Sequence, residues 1–78
     1  MPRKVGPQIN GLVVLPAREL MGIEELTEEL RITRMTLKNW KDRYGFPDHA
    51  FQDGWYRFFR VAEIAFWLRK YGANVRIV

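Results

Sequence analysis

Residues 23–44 read IEELTEELRITRMTLKNWKDRY, and this stretch decides the fold. In its first eight residues the apolar side chains Ile23, Leu26 and Leu30 recur at spacings of three and four, with glutamates between them. This periodicity predicts an amphipathic helix from Ile23 to Leu30. We expect its two pairs of adjacent glutamates to form a solvated helix face rather than a catalytic or metal-binding site.

A second helix is predicted to run from Thr33 to Tyr44. Residues 31–33 interrupt the apolar pattern, and threonine is a good N-cap residue. The side chains of Leu37, Trp40 and Tyr44 then share one helix face, and the glycine and proline that follow end the helix. Two short helices joined by about three residues are typical of a helix-turn-helix, whose second helix enters the major groove of DNA.

A β-hairpin is predicted over residues 46–59, because the Asp53-Gly54 dipeptide lies between β-prone residues. In the returning strand the side chains alternate between two faces, with Tyr56 and Phe58 on one and Trp55, Arg57 and Phe59 on the other. The alternation leaves open which of the two faces is buried. A third helix is predicted from Val61 to Tyr71, where apolar residues again recur at helical spacing.

The order helix, short turn, helix, hairpin, helix predicts the fold class: α+β, mostly helical, a single winged helix-turn-helix domain with a β-hairpin wing. We expect this domain to span residues 11–72. Residues 1–10, rich in proline, glycine and basic residues, are predicted to be a flexible basic arm. Residues 11–15 are predicted to form a short strand beside the wing, and residues 73–78 a tail that is extended or orders only against a partner.

Charge is distributed unevenly along the chain, whose net charge is +4. Residues 19–30 contain five glutamates and no basic residue, whereas residues 31–60 contain seven basic residues and three acidic ones. A protein with one acidic segment and a basic middle is suited to contact a polyanion on one side. The apolar content of 47% favours a packed fold over a disordered chain.

The residue types needed for common enzyme sites are missing. The chain contains no serine, no cysteine and one histidine, His49, so Ser-His-Asp and Cys-His nucleophiles cannot be built. His49 lacks the further ligands of a typical transition-metal site, and we expect an ordinary surface histidine. The sequence therefore predicts a protein that is not an enzyme, with no catalytic residues, no metal and no cofactor.

Residues 32–40, ITRMTLKNW, resemble the turn and recognition helix of the MerR-like winged-helix superfamily, to which phage excisionases and AlpA-type regulators belong. Residues 53–68, DGWYRFFRVAEIAFWL, are similar to the wing and following helix of the same group. The resemblance covers roughly residues 20–72 and is one of residue classes. MerR regulators proper continue into a long dimerisation helix and an effector site, for which 78 residues leave no length, so a metal or drug sensor is disfavoured.

This resemblance implies sequence-specific binding to double-stranded DNA. It favours an excisionase, or recombination directionality factor, which bends DNA to steer an integrase. The alternatives are a small AlpA-like transcriptional regulator, a DNA-packaging or replication-accessory module, and, from a different class, a protein-interaction adaptor that binds no DNA. Apolar stretches are too short to span a bilayer and no signal peptide opens the chain. We therefore expect no membrane partner and a cytoplasmic, nucleoid-associated location in a bacterial or phage-infected cell.

The predicted DNA contacts centre on Arg34, Lys38 and Asn39, which lie away from the apolar face of the second helix. Arginine and lysine suit phosphates or guanine edges, and asparagine suits adenine. The full predicted DNA-binding set is Thr33, Arg34, Met35, Thr36, Lys38, Asn39, Lys41, Arg43, Arg57 and Arg60. The alternative for the helix residues is a solvated helix face that binds nothing. For Arg57 two roles stay open: contact with phosphate, or stacking among its aromatic neighbours.

Phe66 is predicted to contact another protein. It projects away from the apolar stripe of the third helix, so something must cover it. Either residues 12–15 fold over it, or it meets an adjacent copy of the chain on DNA or an integrase.

Overall fold

The computed structural model describes residues 7, 9 and 11–78. In this part of the chain three helices and five strands in two sheets form a small α+β fold, which confirms the α+β part of the predicted class. The elements in chain order are β1 (Leu12–Leu15), β2 (Leu20–Gly22), α1 (Ile23–Leu30), α2 (Arg34–Tyr44), β3 (Phe51–Asp53), β4 (Tyr56–Arg60), α3 (Val61–Lys70) and β5 (Asn74–Ile77). Apart from Pro7 and Ile9, the predicted basic arm of residues 1–10 lies outside the described residues.

All three predicted helices are confirmed. The Thr33 hydroxyl accepts a hydrogen bond from the Thr36 amide at 3.1 Å, so Thr33 is the N-cap of α2 as expected. Arg31 ends α1 in the left-handed region with φ 58°, which turns the chain sharply. The following Ile32 amide donates to the Thr27 carbonyl at 3.0 Å. Three residues therefore separate two helices whose facing ends are both capped.

The predicted hairpin is also present, with its loop one residue later than expected. Asp53 pairs with Tyr56, so the two-residue loop is Gly54–Trp55. Gly54 has φ 62°, a conformation that glycine adopts without steric cost at the first position of such a loop. β2 pairs with the other edge of β4, giving an antiparallel sheet of order β2-β4-β3 that the sequence analysis did not foresee.

The prediction that residues 11–15 pack beside the wing is wrong. β1 pairs in parallel with β5, from Leu12 opposite Asn74 to Leu15 opposite Ile77. Residues 74–77 are thus a strand ordered against this chain itself. A parallel pairing between opposite ends of a sequence leaves no local turn signal, and this explains why the strand pattern alone did not reveal it.

The core lies between the two sheets and the three helices, and all of its buried side chains are apolar. Leu15, Leu26, Ile64 and Leu68 are completely shielded from solvent. Phe59 is buried, so the Phe59 face of the hairpin turns inward, which answers the question that strand alternation left open.

Aromatic contacts with α3 fix the position of α2. The Trp40 and Trp67 rings stack with centroids 5.5 Å apart. At the end of α2 the Tyr44 carbonyl accepts hydrogen bonds from Trp67 Nε1 at 3.0 Å and from the Tyr71 hydroxyl at 3.1 Å. Because α2 is held along this face and at this end, its opposite face is presented to solvent.

Candidate nucleic-acid interface

A groove of about 630 Å³ runs between α2 and the β3–β4 hairpin. Four basic side chains line it: Arg34, Lys38 and Lys41 from α2, and Arg57 from β4. Two acidic side chains, Asp42 and Asp48, also line this groove, and every glutamate of α1 lies outside it. We call this hollow the basic groove.

Helical spacing brings the three basic side chains of α2 to the groove. Lys38 and Lys41 follow Arg34 by four and seven positions, which places all three on one side of the helix. Trp40 faces the core and sets the rotation of the helix. Arg57 joins from the inward face of the hairpin, two residues before the buried Phe59.

Two of the four basic side chains form no ion pair with a described residue and are therefore available to bind an anion. Arg34 meets Glu24 at 3.2 Å, and Lys41 meets Asp48 at 3.1 Å. Neither Lys38 nor Arg57 forms an ion pair with any described residue. Both observed pairs are solvent-exposed, and exposed pairs contribute little, so an incoming phosphate can compete for these cations.

Asp48 is the acidic groove residue that forms an ion pair with a basic side chain of the groove. The hydrogen bond from Lys41 lowers the pKa of its carboxyl, and the His49 backbone amide, at 2.8 Å, lowers it further. The carboxylate therefore stays charged and partly neutralises Lys41. Of the three α2 cations that line the groove, Lys38 is the one without an ion pair to a described residue.

The remaining predicted DNA-binding residues of α2 lie outside the groove or at its edge. Asn39 and Arg43 are exposed on α2 without lining the groove, whereas Met35 lines it and is 74% exposed. Thr36 is half-buried, and its hydroxyl lies 3.1 Å from that of Thr33, within the helix cap. These two threonines therefore fix where α2 begins.

Arg60 and Phe66 lie outside the basic groove, in a neighbouring hollow that shares residues 47–49 with it. Arg60 pairs with Glu19 at 3.0 Å and lines a second hollow of about 780 Å³ together with Phe66 and Lys70. Phe66 is 73% exposed. The proposed cover, residues 12–15, instead pairs with β5 and buries Val13 and Leu15 in the core, so that alternative for Phe66 is wrong.

Trp55 is a residue that the sequence analysis did not assign to the interface. It occupies the second position of the hairpin loop, lines the basic groove and is 98% exposed. The available signal was its position directly after Gly54, which predicts a hairpin tip beyond the reach of the core.

Among the described residues, no group of three His, Asp or Glu side chains is placed to hold a metal ion. Each helix that the structure describes is too short or too polar to cross a membrane. Comparisons of the chain with protein-family models, curated proteins and solved structures find no match.

Proposed function

We propose that this protein binds double-stranded DNA as a winged helix-turn-helix domain, with α2 in the major groove and the β3–β4 hairpin as the wing. The observation that carries the proposal is the basic groove. There a helix and a hairpin from separate parts of the chain bring four basic side chains together on one concave surface. The major groove of B-DNA admits an α-helix, and a neighbouring phosphate strand would then run between α2 and the wing.

The charge distribution supports binding on this side of the molecule. In α1, Glu25 pairs with Arg18, and the Glu29 carboxylate accepts a hydrogen bond from the Val14 amide at 3.3 Å. These acids are thus directed towards residues 14–18 and away from the basic groove. A polyanion would approach the groove without passing these two carboxylates.

The basic side chains of the groove differ in how readily they can bind phosphate, because some of them form ion pairs. Lys38 and Arg57 supply available cations on opposite walls, and Arg34 and Lys41 join once phosphate displaces Glu24 and Asp48. Met35 and Asn39, both exposed on α2, are the residues that we propose to contact base edges. Phosphate contacts position the helix and base contacts give sequence preference.

Within this function we propose an architectural role, that of a MerR-like phage excisionase, in preference to an AlpA-like transcriptional regulator. The supporting observation is the exposed Phe66, whose hollow borders the basic groove at residues 47–49 but contains none of the four basic side chains of that groove. That surface would contact adjacent copies of the chain or an integrase.

Salt dependence of DNA binding tests the proposed function. Affinity for a labelled mixed-sequence duplex, measured by fluorescence anisotropy, should fall with a log–log slope of about −4 to −5, as four to six phosphate contacts require. Arg57→Ala should reduce this slope by about 1, whereas Lys70→Ala, which removes the same charge outside the groove, should not. Absence of binding to any duplex, or a salt-independent affinity, would instead support the protein-interaction adaptor.

A further inference from the structure

We propose that Trp55 is a stacking wedge, whose indole inserts between bases of the DNA held in the basic groove. This inference rests on the proposed function and adds to it a residue that contacts base faces rather than phosphates or base edges. The juxtaposition that carries it is an uncharged aromatic side chain at the tip of a hairpin whose inward face carries Arg57.

Trp55 differs from the other two tryptophans of the chain in exposure. Trp40 and Trp67 are 5% and 4% exposed, whereas Trp55 is 98% exposed. Water therefore contacts nearly the whole indole of Trp55. Removing a large aromatic surface from water lowers the free energy, so an apolar partner surface would bind here.

The hairpin holds Trp55 in a defined position. β4 pairs with β3 from Phe58 up to Tyr56, the residue that follows the loop, and with β2 from Phe58 to Arg60. At the loop the Gln52 side-chain amide donates to the Gly54 carbonyl at 2.9 Å. Because strand pairing and this bond fix the tip, little backbone ordering would oppose insertion.

The neighbouring charge indicates which partner fits. Trp55, in the hairpin loop, and Arg57, in β4, both line the basic groove. When Arg57 contacts phosphate, the indole lies about two strand residues, roughly 7 Å, further out along the hairpin. An indole matches the flat apolar face of a base, and apolar wedges inserted at base steps unstack and kink duplex DNA.

Tryptophan fluorescence gives a direct test, because Trp55 dominates the emission that a solvent quencher can reach. Addition of duplex DNA should quench this emission and shield it from iodide. Heparin, a polyanion without bases, should occupy the same groove without quenching. In Trp55→Phe the quenching by DNA should be lost while DNA is still bound, since phenylalanine retains a stacking face.

Circular-permutation gel shifts test the consequence for DNA shape. Trp55→Ala should bind duplex roughly tenfold more weakly and bend it less than wild type, with an unchanged salt slope. Phe51→Ala removes an exposed aromatic from the outward side of the same hairpin and serves as the matched control, with wild-type affinity and bend.

The outcomes separate the wedge from the proposed function. Salt-dependent duplex binding with unaltered Trp55 emission and equal bends for wild type and Trp55→Ala would overturn the wedge alone. Stronger quenching by single-stranded DNA that duplex does not compete away would also overturn it, in favour of a single-strand stacking surface. Failure to bind any duplex would overturn both.

Discussion

Trp40 and Trp55 are the same residue type in opposite surroundings, the first buried beneath α2 and the second exposed at the hairpin tip. Trp40 packs against Trp67 and Phe46 beneath α2, and Trp55 stands in solvent at the hairpin tip. The difference teaches that the core under α2 determines where the groove forms, whereas the groove surface determines what it binds. Substitutions in the two regions should therefore change different measurements.

The largest effect is expected from Trp40→Ala, because the substitution deletes a buried aromatic ring. We expect the free energy of unfolding to fall by about 3–5 kcal/mol. The loss also removes the stack that holds α2 against α3, so the thermal midpoint measured by circular dichroism should drop steeply. Trp55→Ala is the matched control, and its midpoint should stay within the change expected of a surface substitution. The reverse ranking would mean that the face of α2 assigned to the core is wrong.

A smaller effect, on binding alone, is expected from Lys38→Ala. Lys38 lines the groove without an ion pair to any described residue, so its removal should weaken duplex binding about equally for every sequence and reduce the salt slope by about 1. Arg34→Ala should cost less than Lys38→Ala, since Arg34 must first leave Glu24. Anisotropy titrations give the affinities, and thermal melts should show an unchanged fold.

Lys70→Ala controls for the loss of one positive charge. Lys70 is exposed at the end of α3 and lines the hollow beside Phe66 rather than the basic groove. An equal loss of affinity in Lys38→Ala and Lys70→Ala would show that net charge, and not the groove, drives binding.

The helices and the hairpin were predictable because their signals are local. Ile23, Leu26 and Leu30 mark α1 by their spacing, Thr33 marks the start of α2, and Asp53-Gly54 marks the hairpin to within one residue. In each case the residues that define the element are close to each other in sequence.

The strand pairings and part of the site were not predictable by the same reasoning. β1 and β5 pair although almost the whole described chain separates them in sequence, and β2 is too short to show an alternation of its own. Composition identified a basic middle segment but not which cations are paired, because Glu24 and Asp48 approach Arg34 and Lys41 only in three dimensions. Trp55 was missed because a hairpin tip carries no periodicity to mark its exposure.

The smallest effect is expected from Phe66→Ala, which tests the surface outside the groove. If adjacent copies meet through Phe66 on DNA, tandem sites should bind wild type more tightly than a single site does. Phe66→Ala should leave single-site affinity unchanged and reduce the tandem advantage about fivefold, or by ~1 kcal/mol. Gel-shift titrations on single and tandem sites measure both quantities.

Phe51→Ala is the matched control here too, because Phe51 is also an exposed phenylalanine but does not line the hollow around Phe66. It should keep the tandem advantage. A contact through one exposed ring buries little surface, so the free protein should be monomeric and copies should associate only when DNA holds them side by side. A stable dimer without DNA, or equal single-site and tandem affinities for wild type, would contradict the architectural role and favour a transcriptional regulator that acts at single sites.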